Sequence, residues 1–424
     1  MSGRVGKSLE VLTPATRRDD QLLLAADAGF VTGRNNSGAG KGVRPGDRAS
    51  RREFLQKVAA SSMGLAFASD PAHALSQQAA KVSGLSEGKP IKLFACDLNW
   101  TRFDKPIQDR PPSAPQDWAF IDPKEYFDWH RNFGNNAILC QAYTFCGYAF
   151  YPTQLGPVAP GPGQELLPRL FQLSRAAGMP FWSYFSVGWD LTMSTLRNQW
   201  VVPTSRTRGF NYWGNLAPES PWSDLFCSRV EEFLRSYPVD WILFDEFEYG
   251  NPHSNEFGVQ PAWFVKEPFK EIIGREMPEE ASKITSEESL KYKRAVLARQ
   301  FYRIRDTVRK TSPQTKICFN VPYWKPAEAL WVDHPMLNES DMLFAESSDA
   351  VVDWLLEIRK PHQRVMTTII GREGGLSEPN TWKKWYERGC DFCGYAWGTP
   401  PDFRPHPSYT RELQIVRQAF KEMA

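Results

Sequence analysis

Long apolar runs are missing from this chain of 424 residues. No stretch reaches the eighteen or so apolar residues that a membrane-spanning helix needs. An excess of one charge is missing too: 51 Lys+Arg face 49 Asp+Glu, for a net +2. That balance gives no electrostatic footprint for nucleic acid or an anionic membrane surface. Histidine is scarce, with six in all and none spaced H-x-x-x-H or H-x-H, so no metal site is read from them. Neither G-x-G-x-x-G nor a Walker loop follows any strand-like run, which argues against a nucleotide-dependent enzyme and against a bound cofactor. Cysteine is limited to Cys96, Cys140, Cys146, Cys227, Cys318, Cys390 and Cys393, an odd count set mostly inside apolar runs. We read them as buried single thiols. Cys390 and Cys393 form C-x-x-C inside a strand pattern, where i and i+3 point to opposite faces, so we assign them neither a redox nor a zinc role. What the chain has in abundance is aromatic: 16 Trp, 14 Tyr and 27 Phe. Most of these rings must be core, and the remainder suit a wall on which flat, half-apolar ligands stack.

Residues 1–74 read as processing sequence. Residues 1–49 are rich in Gly, Arg, Asp and Ser without periodicity, as a disordered or over-extended start would be. Ser50-Arg51-Arg52-Glu53-Phe54-Leu55-Gln56-Lys57, the apolar run Val58 to Ala68 and Ala72-His73-Ala74 then follow in order. A basic segment, a short apolar segment and a small-residue cleavage site make a signal peptide over 50–74. Its paired arginines resemble the bacterial twin-arginine motif. We therefore expect export of the folded protein by the twin-arginine machinery to the periplasm or beyond. No cysteine follows the apolar run, so no lipid anchor is expected.

Residues 75–424 alternate strand and helix. Eight apolar runs end in polar or Gly residues: Ile91–Asp97, Ala137–Tyr143, Phe181–Ser186, Val239–Asp245, Lys316–Asn320, Met342–Glu346, Val365–Ile370 and Asp391–Trp397. Helical patterns fill most gaps: Pro123–Phe133 behind an Asp122 cap, Gly163–Ala177 before Gly178, Pro221–Tyr237, Glu287–Lys310, Ser348–Lys360, Pro379–Arg388 and Tyr409–Met423. The fifth strand has the weakest partner, Pro326–Val332, and charge-rich Lys266–Lys293 reads as a solvated loop and helix face. Near-continuous apolar strands separated by helices imply a parallel sheet covered on both faces. Eight such units predict an α/β fold, a (β/α)8 TIM barrel, as a single domain.

A barrel of this kind carries its site at the C-terminal strand ends. The sequence places Asp97 and Asn99, Gln141 and Tyr143, Trp189 and Asp190, Asp245, Glu246 and Glu248, Asn320 and Trp324, Glu346, Glu373 and Trp397 there, in strand order. Carboxylates, amides and aromatics on one rim suit a sugar: rings stack on pyranose C–H faces, amides bind hydroxyls and two carboxyls catalyse. Asp245 ends a buried strand, where a barrel-held carboxylate is placed to attack an anomeric carbon. Glu246 points the other way unless a bulge turns it inward, and Glu248 returns to the face of Asp245.

Gly147-Tyr148-Ala149-Phe150-Tyr151-Pro152-Thr153 with Leu155-Gly156-Pro157, and Ser186-Val187-Gly188-Trp189-Asp190, resemble two motifs of bacterial glycosyl hydrolases related to α-L-fucosidases. Ile242-Leu243-Phe244-Asp245, Asn320 and Glu346 match further positions, and the likeness runs from about Ile91 to Pro400. The resemblance implies a retaining glycosidase acting on an oligo- or polysaccharide, with Asp245 as nucleophile. Glu346 is our choice for acid/base, with Glu246, Glu248 and Glu373 as the other candidates. An arrangement with Glu246 as acid and Glu373 as nucleophile lacks the Asn-Glu pair it requires on the fourth strand. Two rivals stand beside this reading: a carbohydrate-binding barrel without catalysis, and an exported oxidoreductase, disfavoured by the missing cofactor motifs.

Overall fold

The computed structural model describes residues 89–99, 121–144, 146–202, 215–249, 259, 261–321, 328–346, 349–369, 381–397 and 407–423. The expected signal peptide and the segment before it, together with Trp324, Glu373 and the side chain of Trp397, lie outside the described residues.

Eight strands form one parallel sheet: β1 (Lys92–Asp97), β2 (Ile138–Tyr143), β3 (Phe181–Ser186), β4 (Trp241–Asp245), β5 (Lys316–Asn320), β6 (Met342–Ala345), β7 (Arg364–Thr368) and β8 (Asp391–Trp397). Their order around the sheet is β1-β8-β7-β6-β5-β4-β3-β2, a nearly closed (β/α)8 barrel. The helices are α1 (Pro123–Phe133), α2 (Leu166–Ala176), α3 (Leu191–Leu196), α4 (Trp222–Ser236), α5 (Lys266–Ile273), α6 (Ser286–Thr311), α7 (Glu328–Trp331), α8 (Pro335–Glu339), α9 (Asp349–Ile358), α10 (Thr381–Glu387) and α11 (Pro407–Glu422). The seam between β1 and β2 is closed by side chains. Asn136 Oδ1 accepts from Lys92 N at 2.7 Å, and Gln141 Nε2 donates to Cys96 O at 3.0 Å.

Local chemistry explains the ends of these elements. Asp122 accepts from Glu125 N ahead of α1, Pro123 opens the helix and Gly134 closes it at φ 108°. Thr285 and Glu288 form a reciprocal capping box at the start of α6. The helix expected at 326–332 is present as α7, and a second short helix, α8, follows it, opened by Pro335 behind His334, whose ring accepts from Met336 N. Within the charged stretch read as a solvated loop and helix face, α5 buries Phe269 and stops at Gly274, and α6 begins at Ser286. The short α3 was not read from the sequence; Asp190 caps it by accepting from Met193 N at 2.7 Å.

The period of two sorts each strand between two layers. Leu93, Leu139, Trp182, Tyr184, Trp241, Leu243, Cys318, Met342, Phe344, Met366 and Cys393 fill the barrel interior, with Trp182 and Trp241 stacked at 4.7 Å. Alternate residues such as Phe94, Phe185, Phe244, Phe319 and Phe392 pack beneath the helices. Cys390 precedes β8 rather than lying within it, and packs in the helix-side layer while Cys393 faces the interior. All seven cysteines are free thiols, and only Cys227 is not fully buried. At the N-terminal end Arg364 Nε donates to the buried Asp391 at 2.6 Å, sealing the face where such barrels place stability rather than chemistry.

Candidate active site

The inward parity that fills the barrel also sets its upper rim. Asp97, Gln141, Asp245 and Asn320 continue the interior rows of β1, β2, β4 and β5, and Glu346 follows β6 by one residue. The half-buried Asp245 is held by three donors. Asn320 Nδ2 and Glu246 N both donate to its Oδ1 at 2.8 Å, and Tyr184 Oη donates to its Oδ2 at 2.8 Å. The same Asn320 nitrogen donates to Glu346 Oε2 at 2.9 Å. The two oxygens that share this nitrogen therefore lie within about 5.7 Å of each other.

Burial raises the Asp245 carboxyl above its usual range, against the three donors that favour the ionised form. Glu246 is pushed well above its usual range by burial and then by Asp245, Glu248, Glu346 and Asp97. Glu248 rises for the same first two reasons, burial and Asp245, while Trp189 and Asn215 oppose it by hydrogen bonding. Tyr184 is likewise driven up by burial and the charge on Asp245, so it stays a donor. Three hydrogen bonds thus favour the ionised form of Asp245, whereas at Glu246 the neighbouring carboxylates add to burial in disfavouring it.

Glu246 has left the strand. Its φ of 54° is left-handed, unusual for a residue with a side chain, and it turns the chain just past Asp245. The β3–β4 ladder carries on regardless, through Val187 N to Asp245 O at 2.8 Å and Gly188 N to Glu246 O at 3.0 Å. A Cβ on Gly188 would stand 2.6 Å from Glu246 O, so glycine is required at that crossing.

Several expected site residues are brought together here and others are not. Asp245, Glu246, Glu248, Asn320 and Glu346 converge, and Asp97 is close enough to act on Glu246. Asp97 also accepts from Asn99 N at 2.9 Å, and Asn99 is buried. Gln141 spends its amide nitrogen on the β1–β2 seam, while its Oε1 is buried with no partner among the described residues. Trp189 is 3% exposed, a packed ring beside Glu248 rather than an open platform. Tyr143 faces the helices: a bulge between Gln141 and Tyr143 sets it opposite the outward Phe185. Asp190 faces the same way and pairs with buried Arg229 at 2.6 Å. The Arg229 guanidinium lies 4.3 Å from the Tyr143 ring centre, and a Cβ on Gly147 would stand 2.4 Å from Asp190 Oδ1. The two motifs that carried the family resemblance therefore lock to each other behind the rim. Tyr184 was the residue missed as a site member; the parity it shares with Trp182 was its signal.

No family model matches the sequence, and no curated protein matches it. Solved structures do. α-L-Fucosidase isoenzyme 2 from Paenibacillus thiaminolyticus superposes with a TM-score of 0.55 at 15% identity, over 78% of this chain and 49% of that one. The chain thus spans about half the length of that structure, and the likeness is one of barrel fold. The Thermotoga maritima α-fucosidase in complex with fucose (TM-score 0.38, 14% identity, 71% of this chain, 56% of that one) also matches. So does AlfC from Lactobacillus casei in complex with α-L-fucose product (0.38, 13%, 72% and 80%). At such scores these two add nothing to the fold assignment.

Proposed function

We propose that this barrel is an exported glycoside hydrolase of the retaining type, related to α-L-fucosidases and acting on a glycan. One observation carries the reading: a single amide nitrogen, Asn320 Nδ2, sits between the carboxyl oxygens of Asp245 and Glu346. In the first step an Asp245 oxygen attacks the anomeric carbon, the glycosidic C–O bond breaks and Glu346 gives its proton to the departing oxygen. In the second, Glu346 takes a proton from water, and that water's oxygen displaces Asp245 from the sugar with net retention. Glu246 and Glu248, both raised well above the usual carboxyl range by burial and by Asp245, stand beside the nucleophile as partners for sugar hydroxyls. The mature chain begins after Ala74 and works outside the cytoplasm.

The test is release of 4-nitrophenol from a panel of aryl glycosides, α-L-fucoside included, by wild type and Asp245→Ala. Activity lost by about four orders of magnitude in a folded variant supports the assignment. Equal activity in both proteins removes Asp245 as nucleophile. Binding of glycans without turnover by either would instead make this a carbohydrate-binding barrel.

A further inference from the structure

We propose that Glu219 is a positioning residue for the carboxyl-bearing loop after β4, acting through the hydroxyl of Tyr249. The inference rests on the hydrolase reading only in its kinetic consequences. The described part of the loop, Glu246-Phe247-Glu248-Tyr249, starts from a left-handed residue, a conformation that persists only where its surroundings impose it. Its near end is fixed by Glu246 N on Asp245 and by Gly188 N on Glu246 O. Its middle is held by Phe247 against Phe319 and Trp331. Its last described residue is fixed at one atom: Tyr249 Oη donates to Glu219 Oε1 at 3.0 Å, and Tyr292 Oη from α6 donates to the same oxygen at 2.5 Å. Both tyrosines are buried, and Glu219 Oε2 is buried with no side-chain partner among the described residues.

The groups acting on this carboxyl are Tyr249, Tyr292 from α6 and the backbone of Glu219 itself; Lys293 of α6 lies beyond, its Nζ 5.8 Å from the Tyr249 ring centre. Arg299, further along α6, acts on Tyr292. Burial raises Glu219 to about 7 and lowers Lys293 to about 7. As pH rises through 7 the neutral acid becomes a carboxylate, and two neutral hydrogen bonds become charge-assisted ones. The tether tightens with rising pH.

Hydrogen exchange of the peptide covering 241–249, corrected for intrinsic rate, reads the tether without any turnover. In wild type, protection is expected to rise across pH 6–8. Glu219→Gln keeps an acceptor and should lose the pH step while retaining the protection seen at low pH. Glu219→Ala and the milder Tyr249→Phe should lose protection at every pH. On a cleaved glycoside, Glu219→Ala should lower kcat about ten- to hundredfold with KM nearly unchanged, as loss of orientation does, and Glu219→Gln should restore most of it. Unchanged exchange in Glu219→Ala and Tyr249→Phe, or a wild-type pH step that survives in Glu219→Gln, overturns the proposal. A wild type that cleaves no glycoside removes the hydrolase reading alone, and exchange then decides the tether by itself.

Discussion

Asp245 and Glu346 share one hydrogen-bond donor, the side-chain nitrogen of Asn320, at 2.8 and 2.9 Å. Each of the two protons on that nitrogen can serve one carboxyl group, so the bridge sets their spacing. Asn320→Ala removes it. Loss of a hydrogen bond to a charged group is worth about 1.5–3 kcal/mol, so kcat/KM should drop roughly ten- to hundredfold. The Asn320 bond lowers the Asp245 carboxyl, so its removal lets that group rise further. The acid limb of the pH–rate profile should therefore move to higher pH in the variant. A limb that stays in place or moves down would show that Asp245 is not the group it reports.

The roles of Glu346 and Glu246 separate by leaving group. A residue that protonates the departing oxygen matters most where that oxygen is a poor leaving group. Glu346→Ala should lose about a hundredfold or more on an alkyl glycoside, lose far less on a 2,4-dinitrophenyl glycoside, and recover with azide on the activated substrate. Glu246→Gln preserves a donor and should chiefly raise KM, by about tenfold or less. If azide rescues Glu246→Ala and not Glu346→Ala, the acid/base is Glu246.

The barrel was legible because strand parity and helix caps are local. Asp122, Pro123 and Gly134 announce α1 within a dozen residues, and eight apolar runs in sequence leave little other topology open. Asp245, Asn320 and Glu346 were legible for a related reason, since each closes an apolar run and a barrel gathers such ends on one rim. Tyr143 was not, because a bulge reverses its face and no residue type advertises the extra position. Asp190 was read as a rim residue because its partner, Arg229, lies 39 positions away in α4. Glu219 was invisible for the same reason: its partners Tyr249 and Tyr292 are joined only by the fold.

Gly188→Ala tests the turn at Glu246. The added methyl would stand 2.6 Å from a backbone oxygen, an atom that moves only with the loop itself. Overpacking of this sort costs about 1–3 kcal/mol, here levied on the segment bearing Glu246 and Glu248. Activity should fall about tenfold or more while the urea unfolding midpoint shifts modestly. Full activity in Gly188→Ala would mean that this close approach relaxes at no cost to the rim.

Asp190 and Arg229 test the opposite case, a residue of the resemblance motif that acts on stability alone. Both side chains are buried, at 3% and 2% exposure, and they meet at 2.6 Å. Arg229 also donates to Leu155 O at 3.0 Å, which binds the Gly156 turn to α4. Asp190→Asn keeps an oxygen to cap α3 but leaves the guanidinium without its counter-charge. Removing one partner of a buried pair costs about 3–5 kcal/mol, whereas replacing both by apolar groups of similar volume is often close to neutral. Asp190→Asn should therefore lower the urea midpoint strongly with little change in m-value. Combining Arg229→Met with it should recover part of the loss, because the stranded charge is gone. At a temperature where each variant is folded, kcat should stay within about threefold of wild type, since neither group faces Asp245. A single variant that is fully stable yet inactive would move Asp190 back to the substrate.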